Sequence, residues 1–388
     1  MKNILIAIRS IFKKGRHNVM KIVSLGIGLA VGLVLIAKVY FEQSYDDFYP
    51  DRDRVYQVWA KYQQNGGELK DYPQTSGGIA PTMQQQIPEI ETVTRYTSFG
   101  DWTFTMTDTK MKYSGRCIIA DSCFFDILPR PMLIGNAKEV LSTPMYVLIS
   151  SRIAKNIGGD VIGKNFTVDN SPGRTMTIGG VFEEVPENSH SRYDVIVSMA
   201  SAGRFMWEGS PTNMLGNDRY ISYVKLHKGV NPLALEEQVR TFVNSYFPPE
   251  EQQKVGLSID FSFHKLDNLH KELPQVKRMT WILSLLAFAL IFTAVMNYIL
   301  IVISSIVNRS KEVAVHKCYG ASENNIHGMM FGEALVHIVL SLILALLLIL
   351  AFRGTVEELL ATSLDSLLLS NGSLVLLGIC ILVFFVSG

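Results

Sequence analysis

Four long apolar blocks constrain this chain more than any other feature. They cover residues 19–40, 280–307, 329–352 and 374–388. A helix needs about 20 consecutive apolar residues to cross a hydrocarbon core, and the first three blocks reach that length. The chain is 48% hydrophobic with a mean hydropathy of +0.21, more apolar material than a soluble domain needs, and it is concentrated in these blocks. The expected architecture is a membrane protein with four transmembrane α-helices plus one large α+β extracytoplasmic domain inserted between helices 1 and 2.

Charge sets the expected orientation. Arg9, Lys13, Lys14, Arg16, His17 and Lys21 lie at or before the first block, and Arg309, Lys311 and Lys317 lie between the second and third. Positive charge stays inside, so residues 1–18 and 308–328 are expected to be cytoplasmic, while 41–279 and 353–373 face outward. A cleaved signal peptide competes for the first block. The run is longer than a signal core and passes through Lys38 and Tyr40 into acidic sequence without a small-residue cleavage site, which favours an uncleaved span. Lys38 is expected to snorkel to the outer interface. The fourth block ends at Gly388 with no basic anchor behind it. That span is expected to be truncated, the chain being part of something longer.

Segment 41–279 must fold outside the membrane. Strands are expected at 55–62, 103–107, 111–119, 145–149, 174–182 and 220–226, and helices at 79–86, 151–157 and 232–246. Cys117 and Cys123 both fall in this oxidising compartment and form a candidate disulfide; Cys318 and Cys380 lie elsewhere.

The chemical motifs are weak. Gly158 to Lys164 matches a Gly-x4-Gly-Lys phosphate loop, but Asn165 stands where a magnesium-binding Ser or Thr belongs. It also follows a helical pattern and precedes a strand, so a turn is the better reading. No nucleophile elbow, zinc-protease helix or Cys/His ligand spacing occurs. No catalytic residue, cofactor or metal is expected. A net charge of +1 without a basic stripe sets nucleic acid aside.

Within the spans, Gly28 and Gly32 are spaced for close helix approach, either inside the chain or in a dimer. Asn297, Glu333 and His337 are polar groups in apolar surroundings. They serve either as bonds to neighbouring helices and headgroups, the favoured reading, or as a proton or substrate path. Residues 309–320 read as a short amphipathic helix stopped by Gly320, with Ser322 able to cap the next one.

At this stretch the chain resembles permeases of the MacB/FtsX type, the membrane subunits of one class of ABC transporters. The likeness rests on Asn297-Tyr298-Ile299, then Arg309-x-Lys311-Glu312-Val313-Ala314-Val315-x-Lys317-x-x-Gly320-Ala321, then Glu333. The outer segment agrees, through Ser44 to Asp51 leading into Arg54-Val55-Tyr56, Phe124 to Leu128, Gly158 to Lys164 and Gly180 to His190.

The resemblance implies a separate cytoplasmic ABC ATPase dimer that hydrolyses ATP. The permease's coupling helix would ride on it through Arg309, Lys311, Glu312, Val313, Val315, Lys317, Gly320 and Ala321. Motion would pass through the spans to a periplasmic core domain by mechanotransmission, with the chain itself no enzyme. Many relatives contain the whole unit twice, so a second permease unit is expected, as a missing repeat or a second copy. Here His316, Cys318 and Tyr319 replace residues that are usually basic or small. Membrane lipid, a periplasmic adaptor and an outer-membrane channel complete the partners the resemblance implies in the cell inner membrane. The functions in contention are efflux or extraction of a substrate, FtsX-like control of a cell-wall hydrolase or an antibiotic-sensing complex, and a tethered domain without energy input. A coupling helix argues against the last.

Overall fold

The computed structural model describes residues 18–169, 171–318 and 323–368. It divides into two compact units, Met1–Ser44 with Lys271–Gly388, and Tyr45–His270. In chain order the elements are α1 (Asn18–Gln43), β1 (Val55–Gln64), β2 (Lys70–Tyr72), α2 (Ile79–Gln86), β3 (Ile90–Met106), β4 (Lys112–Ala120), α3 (Phe124–Ile127), β5 (Met132–Ile134), α4 (Ala137–Ser142), β6 (Tyr146–Ser150), α5 (Ser151–Ile157), β7 (Asn165–Val168), β8 (Ser171–Phe182), β9 (Val195–Ser198), α6 (Ala202–Phe205), β10 (Ile221–Leu226), α7 (Glu236–Tyr246), α8 (Pro249–Val255), β11 (Leu257–Lys265), α9 (Pro274–Cys318), α10 (Glu323–Ala351), α11 (Arg353–Leu360) and α12 (Leu364–Leu368).

The unit Tyr45–His270 is built on one mixed sheet in the order β11-β1-β10-β3-β4-β9-β6-β8-β5, with β2 beside β1 and β7 bridging β3 and β8. The pairs β4/β9 and β6/β8 are parallel and the other neighbours antiparallel. Toward the β11 end, α2 and α7 cover the sheet. Val239, Phe242 and Val243 of α7 recur at helical spacing and bury against Met83, Val58, Val224 and Phe261. Toward the other end, one core holds Phe124, Leu141, Leu148 and Phe182, and another holds Trp102, Phe104, Ile149, Phe166 and Ile178.

Several expectations change here. The strand expected at 103–107 is only the end of β3, a 17-residue strand interrupted by a register shift between Ser98 and Gly100. Gly100 sits at φ +73, a left-handed bulge that hides the alternation from a sequence reader. The candidate disulfide is not formed: both cysteines are free. Cys117 is buried in the core with Ile119 and Val195, while the Cys123 thiol donates to the Val93 carbonyl at 3.1 Å. The Gly158–Lys164 stretch is a turn between α5 and β7, where the Gly163 amide donates to Ile178 O at 2.8 Å and is thereby withheld from any phosphate.

In the other unit, three helices among the described residues are long and apolar enough to cross a membrane: α1, α9 over Pro274–Ser304, and α10 over Phe331–Ala351. The segment read as a short amphipathic helix continues α9 without a break, and α9 runs for 45 residues, a rod about 68 Å long. The cause is local: Pro274 opens the helix at its first position, and neither Gly nor Pro follows until Cys318 has been passed. The first 17 residues, Gly320, Ala321 and the fourth span at 374–388 lie outside the described residues.

Candidate functional site

The elements that can carry motion through a membrane are the spans, and α1 is their centre. It packs on both α9 and α10, burying Leu25, Leu29 and Leu33 among Ala294, Tyr298, Ile338 and Ala345. Gly28 and Gly32 lie one turn apart on one face, and that face meets α9. A Cβ on Gly28 would stand 2.3 Å from Ala294 Cβ, and one on Gly32 2.5 Å from Ile291 Cγ1. The small-residue face is therefore used within the chain.

Glu333, His337 and Ser341 recur every four residues on α10, 7%, 2% and 0% exposed. Their shared face turns inward: Ser341 Oγ donates to Ile22 O at 3.2 Å, and the His337 ring stands edge-on to Tyr298 with centroids 6.3 Å apart. A buried polar stripe between helices holds its members in register, because displacing it would leave polar groups in hydrocarbon. Asn297 differs from the expectation that it bonds a neighbouring helix. It sits next to buried Tyr298 but is exposed on α9.

Lys38 does not snorkel. Its Nζ pairs with Glu42 Oε1 at 2.7 Å and donates to Thr362 Oγ1 at 2.8 Å, with the two charged side chains 9% and 6% exposed. Pairing explains how a lysine can be buried there. The spacing of Lys38 and Glu42, four residues on a helix, is the sequence signal for it; Ser341 and Thr362 carried no comparable signal. Of the coupling residues, Arg309, Lys311, Glu312, Val313, Val315 and Lys317 all fall on α9, with Val315 exposed. Among the described residues no three His, Cys, Asp or Glu side chains converge as metal ligands would.

Comparison with known proteins gives this architecture its place. The model of the MacB-like periplasmic core domain matches residues 20–242, more than half of the chain, and that of the FtsX-like permease C-terminal region matches 284–388. Among solved structures, a domain of a protein described as a permease from Porphyromonas gingivalis is 33% identical, with a TM-score of 0.51, over 56% of this chain and 91% of that one. The extracellular domain of the noncanonic ABC-type transporter YknZ from Gram-positive bacteria aligns at 11% identity and a TM-score of 0.38, over 54% of this chain and 98% of that one. No curated protein matches. A membrane-spanning helical unit joined to a large extracellular α+β domain, matched by both family models in order, makes this chain a member of the MacB/FtsX-type ABC transporter permeases.

Proposed function

We propose that the chain works by mechanotransmission: an ABC ATPase dimer in the cytoplasm moves the permease through Arg309–Cys318, and the spans pass that motion to the outer domain. The observation that carries the reading is α9. It begins four residues after the outer unit's last residue, His270, and continues past the membrane-length portion ending at Ser304 to Cys318. A continuous helix cannot absorb displacement at a joint, so a push at one end appears at the other. Gly320 and Ala321 would complete the contact. ATP hydrolysis belongs to the partner, and the chain sits in the inner membrane with its amino terminus cytoplasmic and the outer domain periplasmic.

A second permease unit is part of this proposal, since one ATPase dimer presents two docking sites. The exposed Asn297, a polar group on a spanning helix, supports a second unit there. The almost wholly apolar spans favour extraction or export driven from outside the bilayer over a hydrophilic channel.

Affinity purification from the native membrane tests the reading. The natural chain should bring down an ATPase, and Glu312→Lys with Lys317→Glu should lose it; an ATPase in neither sample overturns the mechanism. In the same experiment a co-purifying adaptor and outer-membrane channel supports export, whereas a bound cell-wall hydrolase supports the regulatory role.

A further inference from the structure

Two stretches far apart in sequence meet around one buried carboxylate in the outer unit. Asp46, three residues beyond the end of α1, is 0% exposed and adopts φ +60. A left-handed conformation is uncommon outside glycine, though Asp and Asn reach it more readily than most, and a buried one persists where the surroundings impose it. Here they do. The Asp46 amide donates to Asn188 O at 2.9 Å, and its Oδ1 accepts from Ser189 Oγ at 3.0 Å and the His190 amide at 3.3 Å. Its Oδ2 lies 2.7 Å from His190 Nδ1. A carboxylate can only accept, so Nδ1 carries the proton.

His190 in turn reaches the sheet. Its Nε2 meets the Tyr223 hydroxyl on β10 and lies 3.0 Å from Ser191 Oγ, which is 2.6 Å from the Tyr96 hydroxyl on β3. Burial pushes the Tyr96 hydroxyl up to about 12 and Tyr223 well above its ordinary range, so both keep their protons at neutral pH. The order Asp, His, Ser resembles a hydrolase relay. It is not one, because Ser191 and Tyr223 are 4% and 0% exposed and a substrate has no approach to them.

The same unit is closed at its root. Tyr45, its first residue, stacks on His270, its last, with ring centroids 3.4 Å apart and planes 6° from parallel. Arg52 pairs with Asp47 at 3.1 Å and with Asp267 at 3.4 Å.

We propose that Asp46 and His190 form a latch, a positioning pair that makes the outer sheet follow the chain leaving α1, so that displacement of the first span is delivered to β3 and β10 instead of being lost in a slack linker. The latch rests on the coupling reading above. Without it, the chain around Asp46 hangs loose from the sheet; with it, that chain moves with the sheet.

Hydrogen exchange on the full chain in nanodiscs with its ATPase, with and without ATP, tests this. In the natural chain the amides of Asp46 and His190 should stay protected in both states while ATP alters exchange elsewhere in the outer unit. His190→Ala should speed exchange at those two amides about 10- to 100-fold, as loss of a charge-assisted bond requires. The ATPase should stay bound, and the ATP-dependent change in the sheet should vanish; His190→Gln, which keeps a donor for Asp46, should restore at least half of it. An unchanged ATP response in His190→Ala overturns the latch. Should that variant lose the sheet's protection altogether, Asp46→Asn decides: it tolerates the left-handed backbone and keeps an acceptor for Ser189, and a full ATP response in it overturns the proposal. A natural chain with a bound, active ATPase but no outer response is a different failure, that of the coupling reading, and removes the latch with it.

Discussion

Gly28→Ala adds a single methyl group where α1 meets α9. The new carbon would stand 2.3 Å from Ala294 Cβ, whereas carbon atoms rest at about 3.5–4.0 Å. Ala294 Cβ cannot rotate away, so α1 and α9 must part by about 1.2 Å or more at that crossing. Parting also loosens Leu25, Leu29 and Leu33 from Ala294 and Tyr298. Overpacking of this kind costs about 1–3 kcal/mol, and the melting midpoint in detergent, followed by intrinsic fluorescence, should fall accordingly. Ala294→Gly removes the opposing methyl and should recover most of the loss in the double variant, a coupling of about 0.5–3 kcal/mol in a double-mutant cycle. Gly354→Ala, where the methyl meets open space, should be neutral or stabilising by up to about 1 kcal/mol. A Gly28→Ala chain as stable as the natural one, or strictly additive effects in the cycle, would refute the close approach.

Arg95→Met strands Asp121, whose Oδ2 accepts from Arg95 Nε at 3.2 Å, and should cost about 3–5 kcal/mol near neutral pH. Burial already holds the Asp121 carboxyl above the ordinary range while Arg95 pulls it down; the folded form thus keeps its proton to higher pH than the unfolded form, and stability rises as pH falls through the folded pKa. The variant should show that acid-side gain over a wider window in melts at several pH values, and an unchanged pH profile would count against the pairing. Lys38→Met takes from buried Glu42 the cation 2.7 Å away and should lower the melting midpoint; Lys38→Met with Glu42→Leu should regain most of it, as when both partners of a buried pair become apolar. A double variant no better than the single one contradicts this. Thiol labelling of the native chain should reach Cys123 before the fully buried Cys117, both slowly because burial raises both thiols; under denaturing, non-reducing conditions both should label, and failure of both to label would indicate a bridge.

The membrane unit was more legible than the outer one, for a physical reason. A spanning helix announces itself by an uninterrupted apolar run, and the portions of α1, α9 and α10 long enough to span overlap the first three blocks. What the run does not show is where the helix stops: α9 passes from Ser304 into Arg309–Lys317 because nothing there breaks it, although the composition changes completely. In the outer unit, β1 and β10 fall on two of the expected strands, although β10 is buried along nearly its whole length. The start of β3 is masked because Val93 to Thr97 are buried in succession, and β9 is four residues buried throughout. β11 did carry a signal, with Leu257, Ile259, Phe261 and Phe263 alternating strictly. The Asp46–His190 contact joins positions 144 residues apart. Only pairing of the whole sheet brings them together, so no local pattern could reveal it. The inward turn of Glu333 and His337 was half visible, since their spacing places them on one face but not against which neighbour.

The central proposal is that a separate ATPase moves this chain. The most direct measurement is ATP turnover by the purified chain alone, by its co-purified ATPase, and by the two reconstituted together in lipid. The account predicts no turnover by the chain alone, turnover whenever the ATPase is present, and a changed rate on reconstitution that Glu312→Lys with Lys317→Glu abolishes. ATP hydrolysis by the chain alone, or an ATPase whose rate and association ignore both the chain and that variant, would contradict it.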